Sequence, residues 1–280
     1  MSGRNRSEEK QRRKRLVEDF KGKPLTWRES PEDERDLKFS AQEKFRAKIA
    51  VPDVIDFEPK MSPISDQGSL GSCTAHAIVA ACEYMLRLMG IKTDLSELFL
   101  YYLERKLEGT IDEDSGAYIK DGFRAGSKWG LAPLKLWPYV IRRFRDEPPK
   151  DAFEAALGCQ IIKYYKVSGV DELDQALARG HAVVFGAPIF ESFYRLTSSR
   201  NVMGMPKAGE KNYGGHAMVF VGRTVKNAER KRRFKFRNSW GTDFGRRGYA
   251  YMEEDFVRKH CRDMWVVEIM ENPAEAAKAA

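Results

Sequence analysis

The stretch "SDQGSLGSCTAHA", residues 65–77, places Cys73 at the start of an apolar pattern with helical spacing. A cysteine attacks as the thiolate, and the first turn of a helix stabilises that anion through its unpaired N–H groups and its positive dipole end. Small residues before the cysteine leave space for a substrate to approach the sulfur. They are Gly68, Ser69, Gly71 and Ser72. The pattern predicts that Cys73 is a nucleophile, whereas Cys82, on the apolar side of the same helix, is expected only to pack.

A nucleophilic cysteine needs a histidine partner, and the chain has four histidines. His76 lies one turn after Cys73, where helical side chains run nearly parallel and do not point at each other. His181 is expected to be structural and His260 to be exposed. His216 opens an apolar strand after "YGG", where two glycines let a ligand approach the ring. We therefore predict that His216 is the partner of Cys73.

The third group of such a site orients the imidazole and fixes its tautomer. Asn238, in "RNSWG", lies on what is predicted to be the strand adjacent to that of His216. Trp240 falls on the same strand face, where it could shield the Asn238–His216 hydrogen bond from water. A lone asparagine before a turn would be ordinary, but together with Cys73 and His216 it predicts a Cys–His–Asn triad.

Three blocks of the sequence resemble the active-site motifs of papain-like (C1) cysteine peptidases, in the family's order. They are "DQGSLGSCTAHA", "GGHAMVFVG" and "RNSWGTDFGRRGYAYM". "VPDVIDF", from Val51, is similar to the start of the mature enzyme, and Thr74 after the nucleophile is typical of the prokaryotic and viral branch. The resemblance covers about residues 51–268. It implies a cysteine endopeptidase with an α+β, two-lobed fold, in which a helical left lobe and an antiparallel β-barrel-like right lobe enclose the cleft.

The resemblance also implies a role for each residue of the catalytic set. Cys73 is the nucleophile, and His216 is its general base and acid. Asn238 orients the histidine. Gln67 donates its side-chain N–H to the oxyanion hole beside the backbone N–H of Cys73, which gives a reason for its place six residues before the cysteine.

Further positions match substrate-contacting residues of the family. Gly116, in "DSGAY", corresponds to a glycine whose backbone pairs with an extended substrate. Ala117 and Ala217 match positions that line the pocket for the second residue before the cleaved bond, and Trp240 is assigned to substrate contact. Phe244 stands where many relatives have tryptophan, so the shape of the leaving-group side is expected to differ.

The composition is that of a globular protein in a reducing compartment. Of 280 residues 42% are hydrophobic, and no apolar run approaches the roughly 18–20 residues of a membrane helix. The N-terminus has no apolar signal core, and the four cysteines lack disulfide-framework or C-x-x-C spacing. We expect a cytoplasmic protein with a protein or peptide substrate and no cofactor. Metal binding is not expected, because Cys73 and His76 lack a second ligand pair.

The chain divides into three parts. Residues 1–50 are predicted to be a basic, mobile arm with one helix around 8–20 and another around 40–50. Residues 51–270 are predicted to be the peptidase domain and residues 271–280 a C-terminal tail. Within the domain the left lobe should span about 60–158 and the right lobe about 159–268, with strands predicted at 160–167, 181–188, 215–223, 233–241 and 248–252. The long helical pro-segment of plant and lysosomal relatives is not recognisable in the arm, so autoinhibition by that device is not expected. We therefore interpret the arm as a short propeptide, a localising tag or a partner-binding tail.

The sequence leaves three alternatives to peptide-bond hydrolysis open, and the first of them comes from two basic segments. Residues 1–30 hold ten Lys or Arg against five Asp or Glu, and residues 226–237 hold seven against one. Contact with nucleic acid or an acidic surface is conceivable, but no recognition motif accompanies these charges. A catalytically silent papain-like binding module is a second alternative. A third is a transferase or ligase that passes the same acyl group to an amine.

Overall fold

The computed structural model describes residues 3–226 and 231–269. The predicted C-terminal tail, 271–280, and the tip of the basic hairpin, 227–230, lie outside these ranges. In the described part of the chain the helices are α1 (Gly3–Lys21), α2 (Glu43–Arg46), α3 (Cys73–Leu88), α4 (Glu97–Glu108), α5 (Ile119–Trp129), α6 (Lys150–Ala156), α7 (Gly169–Ala178) and α8 (Glu254–His260). None of the helices in these ranges is long and apolar enough to cross a membrane.

The first half of the domain is helical, as the apolar spacing predicts. Helix α3 buries almost every side chain from Cys73 to Leu86, and Gly90 just beyond it has a φ of 83°. Helix α4 begins at Ser96, whose side-chain oxygen accepts a hydrogen bond from the N–H of Phe99, and it ends at the left-handed Gly109. The central helix α3 is thus covered by other elements along most of its length.

The second half forms one sheet. Its strands are β1 (Val54–Asp56), β2 (Ile161–Val167), β3 (Val183–Phe190), β4 (Val202–Met203), β5 (Asn212–Lys226), β6 (Lys231–Arg237), β7 (Tyr249–Glu253) and β8 (Arg262–Ile269). The order is β2-β8-β3-β5-β6-β7-β4, and β1 pairs with β5. All pairs are antiparallel except β4 with β7. The barrel-like expectation needs one correction: among the described strands no ladder joins β2 to β4, because β4 is two residues long and pairs only with β7.

The two halves meet where α3 packs against β5. Helix α3 begins with Cys73, and β5 carries His216 near its start. This packing brings the cysteine of one half to the histidine of the other. Strand β6 pairs with β5 and leads directly into Asn238, so the predicted hairpin is present.

Cations of the basic hairpin form ion pairs with carboxylates elsewhere in the molecule. Arg232 on β6 forms ion pairs with Asp174 and Glu254, and the ammonium of Lys235 lies 2.7 Å from Asp56. These cations are therefore neutralised within the molecule.

The arm is packed along the body, and the prediction of a mobile arm is wrong for its described residues. Helix α1 extends the predicted helix at 8–20, whereas the second predicted helix, at 40–50, is only the single turn α2. Phe39 and Phe45 are buried and enclose the ring of His181 edge-on. The buried aromatic side chains of the arm are far apart in sequence and pack against different parts of the domain. The sequence therefore has no periodic pattern that would predict this packing.

Candidate active site

Cys73 is the first residue of α3 and has no exposed surface. Burial raises the pKa of its thiol to about 11. The backbone N–H of Ala217, which follows His216, acts in the opposite direction by favouring the thiolate. The thiol therefore lies beside the histidine strand and, in the covered site, is protonated at neutral pH.

His216 and Asn238 form the predicted hydrogen bond. Nε2 of His216 lies 2.7 Å from Oδ1 of Asn238, and the N–H of Ser239 donates to the same oxygen at 2.9 Å. Because Oδ1 accepts, Nε2 carries the proton of the neutral ring and Nδ1 keeps its lone pair. Nδ1 has no hydrogen-bond partner within the described residues. Burial lowers the pKa of His216 to about 4, so the ring is neutral in the covered site.

Gln67 is fully buried, and its amide is held in one orientation. Its Oε1 accepts hydrogen bonds from Ser239 Oγ at 2.9 Å and Trp240 Nε1 at 3.2 Å. Its Nε2 donates to the carbonyl of Leu70 at 3.0 Å and to that of Pro24 at 3.4 Å. The predicted oxyanion donor is thus shared between a carbonyl of its own loop, Leu70, and a carbonyl of the arm, Pro24.

Trp240 covers the His216–Asn238 pair, as its position predicts. The centroid of its ring lies 5.0 Å from that of His216. The residue follows β6 and pairs with Asp66 through an isolated bridge, so it also ties the cysteine and asparagine segments together. This arrangement leaves little room for water around the imidazole.

The arm crosses the site with its backbone extended. Phe20, at the end of α1, stacks on Trp240 with 5.6 Å between ring centroids. Thr26 Oγ1 donates to the carbonyl of Gly71 at 2.8 Å, and the N–H of Trp27 donates to the carbonyl of Gly215 at 3.1 Å. Residues 20–27 therefore lie over the segments that precede both Cys73 and His216.

Ion pairs hold the same part of the arm. Lys21 lies 3.1 Å from Glu191, and Lys23 lies 2.6 Å from Asp66. Lys23 is almost fully buried, whereas the Asp66 side chain is half exposed. A share of the arm's basic charge is thus matched by carboxylates beside the cleft.

The predicted substrate-contacting positions Gly116, Ala217 and Ala117 have different surroundings in the structure. Gly116 has a φ of 69°, and a Cβ there would lie 2.4 Å from the Thr26 carbonyl oxygen, so the arm requires a glycine. Its N–H donates to the Tyr101 hydroxyl at 3.1 Å, and its pairing with a substrate backbone stays a prediction. Ala217 lies opposite Gly186 in the β3–β5 register. Ala117 is fully buried, and its contact with a substrate also stays a prediction.

Trp27 occupies the space beside Ala217. A Cβ on Gly186 would lie 1.8 Å from its indole, so only a glycine admits the ring. The indole Nε1 points at Asp263, 3.4 Å from Oδ2. The sequence analysis missed both Trp27 and Asp263. Trp27 is the single tryptophan of residues 1–50, and a tryptophan in so polar a segment could have drawn attention to it.

Glu104 is a second residue that sequence reasoning missed. This fully buried side chain on α4 accepts a hydrogen bond from Thr74 Oγ1 at 2.7 Å. Burial raises the pKa of Glu104 well above its ordinary value, which favours its neutral form. Its hydrogen bond with Thr74 anchors the first turn of α3 one residue after Cys73.

The other cysteines and histidines are occupied elsewhere. His76 Nδ1 lies 2.9 Å from Ser65 Oγ and 3.4 Å from Glu97, in agreement with its dismissal as the base. His260 is partly buried against the rings of Phe190 and Phe256, so the expectation of an exposed histidine is wrong. All four cysteines are free and buried. Among the described residues, no cluster of three His, Cys, Asp or Glu side chains could hold a metal ion.

Comparisons with known proteins agree with this geometry. Residues 51–267 match the model of the papain family of cysteine proteases. An uncharacterized peptidase C1-like protein, L477 of Acanthamoeba polyphaga mimivirus, is 35% identical over 222 residues, which cover 74% of this chain and 70% of that protein. Xylellain, a cysteine protease from Xylella fastidiosa, is 29% identical and superposes with a TM-score of 0.77 over 88% of this chain and 97% of its own. Peptidase 1 of Psoroptes ovis is 28% identical over 85% of this chain and 73% of its own.

Proposed function

Because the chain belongs to the papain family of cysteine proteases, we propose that Cys73, His216 and Asn238 form its catalytic triad and that the arm keeps the enzyme latent. One observation supports the triad above all. Asn238 holds Nε2 of His216 and leaves Nδ1 as the nitrogen with a free lone pair, on the strand that packs against α3. A base that must accept the thiol proton needs this tautomer.

The proposed reaction is peptide-bond hydrolysis through an acyl-enzyme. His216 Nδ1 takes the proton of the Cys73 thiol, and the sulfur attacks the substrate carbonyl carbon. The oxyanion that forms accepts hydrogen bonds from Gln67 Nε2 and the backbone N–H of Cys73. The imidazolium returns its proton to the leaving amine as the C–N bond breaks. A water molecule, deprotonated by His216, then cleaves the thioester and releases the acid.

The arm is proposed to block this reaction because of its direction. In a substrate, residues before the cleaved bond would lie near Ala217, and residues after it near Phe244. In the arm, Phe20 contacts Phe244, and the later residue Trp27 lies beside Ala217. The arm therefore runs opposite to a substrate, so no arm peptide bond is presented for attack although the Pro24 carbonyl meets Gln67.

Two of the alternatives are less well supported than hydrolysis. A silent binding module would not need Gln67, Cys73, His216 and Asn238 together, and the His216–Asn238 hydrogen bond and the packing of α3 on β5 support the catalytic proposal instead. A transferase would use the same triad, and the described residues include no feature that favours an amine over water as the acceptor. Hydrolysis is therefore the reaction to test first.

The test uses the full chain carrying Phe20→Ala and Trp27→Ala, called here the released variant, since these changes remove both aromatic anchors. We expect it to cleave members of a mixed peptide library at reducing, near-neutral pH, as read by mass spectrometry. Adding Cys73→Ala or His216→Ala should abolish cleavage, and adding His76→Gln should not. A released variant that is modified at Cys73 by a small thiol reagent but cleaves no peptide would overturn the peptidase proposal.

Acid pH should loosen the arm through Glu191. Hydrogen bonds from Tyr213 and then Lys21 lower the pKa of Glu191 below its ordinary 4.5 in the docked state. When the arm leaves, Glu191 loses the hydrogen bond from Lys21, and its pKa rises towards the ordinary value. The ionised carboxylate therefore stabilises the docked arm above pH 4.5, and this stabilisation is lost as the pH falls through the pKa of the docked state. The rate at which dithiodipyridine reacts with Cys73 should therefore rise as the pH is lowered from neutral to below the ordinary Glu191 pKa of 4.5. Glu191→Gln should react faster at neutral pH and show a smaller further rise, and an equal rise in both proteins would contradict this role.

A further inference from the structure

Asp263 lies at the end of the space that Trp27 fills. It sits at the start of β8 with a φ of 53° and is 7% exposed. Its Oδ1 accepts a hydrogen bond from Trp265 Nε1 at 2.6 Å. This bond comes from the body of the domain and fixes the carboxylate in place.

The other oxygen of Asp263 is satisfied entirely by the arm. Oδ2 accepts hydrogen bonds from the N–H and hydroxyl of Ser30, at 3.1 and 2.7 Å, and from Trp27 Nε1 at 3.4 Å. In the described part of the chain no lysine or arginine forms an ion pair with this carboxylate. When the arm leaves, Oδ2 loses every one of these donors and faces the space left by the indole.

The emptied space would be lined by small residues and would end in a negative charge. Gly186 and Gly215 both lie against the indole, since a Cβ on either would come within 2.6 Å of it. Ala217 lies across from Gly186. Such walls admit a long aliphatic stem, and Oδ2, which loses its arm donors while Oδ1 keeps the Trp265 hydrogen bond, offers a negatively charged acceptor to a cation.

We propose that Asp263 is a specificity-determining residue and that the released enzyme selects peptides with arginine or lysine at the second residue before the cleaved bond. This inference rests on the proposed function for the direction of the substrate. The side chain that enters the Trp27 space would place its cation on Oδ2 of Asp263. Arginine suits it best, because its guanidinium can replace several arm donors at once.

Lys120 is the competing cation. Its backbone N–H donates to Ser30 Oγ, and its ammonium is held by the Pro31 carbonyl and Asp36, which all belong to the arm. These partners leave with the arm. If Lys120 then neutralised Asp263, the preference for a basic side chain would be absent, and the tests below would show it.

A binding test that needs no turnover uses the arm itself as the occupant. The full chain is prepared with Trp27→Lys or with Trp27→Met, because methionine is similar in size to lysine but neutral. Each variant is made with and without Asp263→Asn. Asparagine keeps the Oδ1 acceptor and tolerates the positive φ. Cys73 should react with dithiodipyridine about tenfold more slowly in Trp27→Lys than in Trp27→Met, and Asp263→Asn should remove this difference. Equal rates in the two single variants would overturn the inference, even if Asp263→Asn fails to fold.

A cleavage test then separates this inference from the proposed function. The released variant is given fluorogenic peptides that differ only at the second residue before the cleaved bond, which is arginine, lysine or the neutral norleucine. We expect kcat/KM for arginine to exceed that for norleucine by about tenfold or more, and Asp263→Asn to remove the difference. Equal cleavage of all three peptides would overturn the specificity and leave the peptidase proposal intact. A charge-dependent binding difference with no cleavage of any peptide would support Asp263 and reject the peptidase.

Discussion

Removing the two aromatic anchors of the arm should expose Cys73. In the released variant, Phe20→Ala with Trp27→Ala, we expect the thiol to react with dithiodipyridine at least about 100-fold faster than in the unchanged chain. Each large apolar side chain contributes about 1.5–3 kcal/mol when buried, and every 1.4 kcal/mol changes an opening equilibrium tenfold. Phe20 is 4% exposed and stacks on Trp240, while the indole of Trp27 lies against Gly186.

The control is a substitution in the arm that leaves the anchors in place. Leu37 is 45% exposed and lies beyond the segment that crosses the site, so Leu37→Ala should react at the rate of the unchanged chain. If the released variant also reacts at that rate, the arm does not limit access to the thiol. If Leu37→Ala reacts as fast as the released variant, general loosening of the arm, and not loss of the two anchors, explains the exposure.

Release of the arm should change the charge state of the site as well as its accessibility. Burial raises the pKa of the Cys73 thiol to about 11 and lowers that of His216 to about 4. Both shifts favour the neutral pair, because a covered site stabilises neither a thiolate nor an imidazolium. Readmitting water reduces both shifts. The position of Cys73 at the start of α3 and the Asn238 hydrogen bond to His216 then favour the ion pair that attacks a substrate.

The core of the site could be predicted because each part has a local signal. The apolar spacing after Cys73 defines α3, and the alternating run after "YGG" defines the strand of His216. Asn238 then follows from hairpin geometry, because β6 pairs directly with β5. Each of these steps needs only neighbouring residues or adjacent strands.

The arm and the Asp263 pocket could not be predicted in the same way. Trp27 and Asp263 are far apart in sequence and meet only after β8 joins β3 in the sheet. The sequence around Asp263 is charged on its N-terminal side, and β8 was not among the predicted strands. Glu104 looks like a surface residue on an amphipathic helix, and only the packing of α4 against α3 buries it.

Gln67→Glu should separate the oxyanion role of this residue from its structural role. Truncation to alanine would leave Trp240 Nε1 and Ser239 Oγ without their acceptor, so a loss of activity could come from a displaced tryptophan. Glutamate keeps an acceptor at that point and removes the N–H donors, including the one that bonds the Leu70 carbonyl, so Trp240 and Ser239 keep their partner while the oxyanion loses its donor. In the released variant we expect kcat to fall by about 10²–10³ or more, because a lost donor removes stabilisation of the oxyanion and a carboxylate adds repulsion.

Three measurements decide what such a loss means. KM should change much less than kcat, since the donor meets the oxyanion only as it forms. The rate of Cys73 modification by dithiodipyridine should stay near that of the released variant, which would show that the thiol and its access are preserved. Tryptophan fluorescence should be unchanged if Trp240 keeps its place. If kcat is retained while the donor is gone, the oxyanion must be held elsewhere, and the Pro24 carbonyl contact with Gln67 would then reflect only packing of the arm.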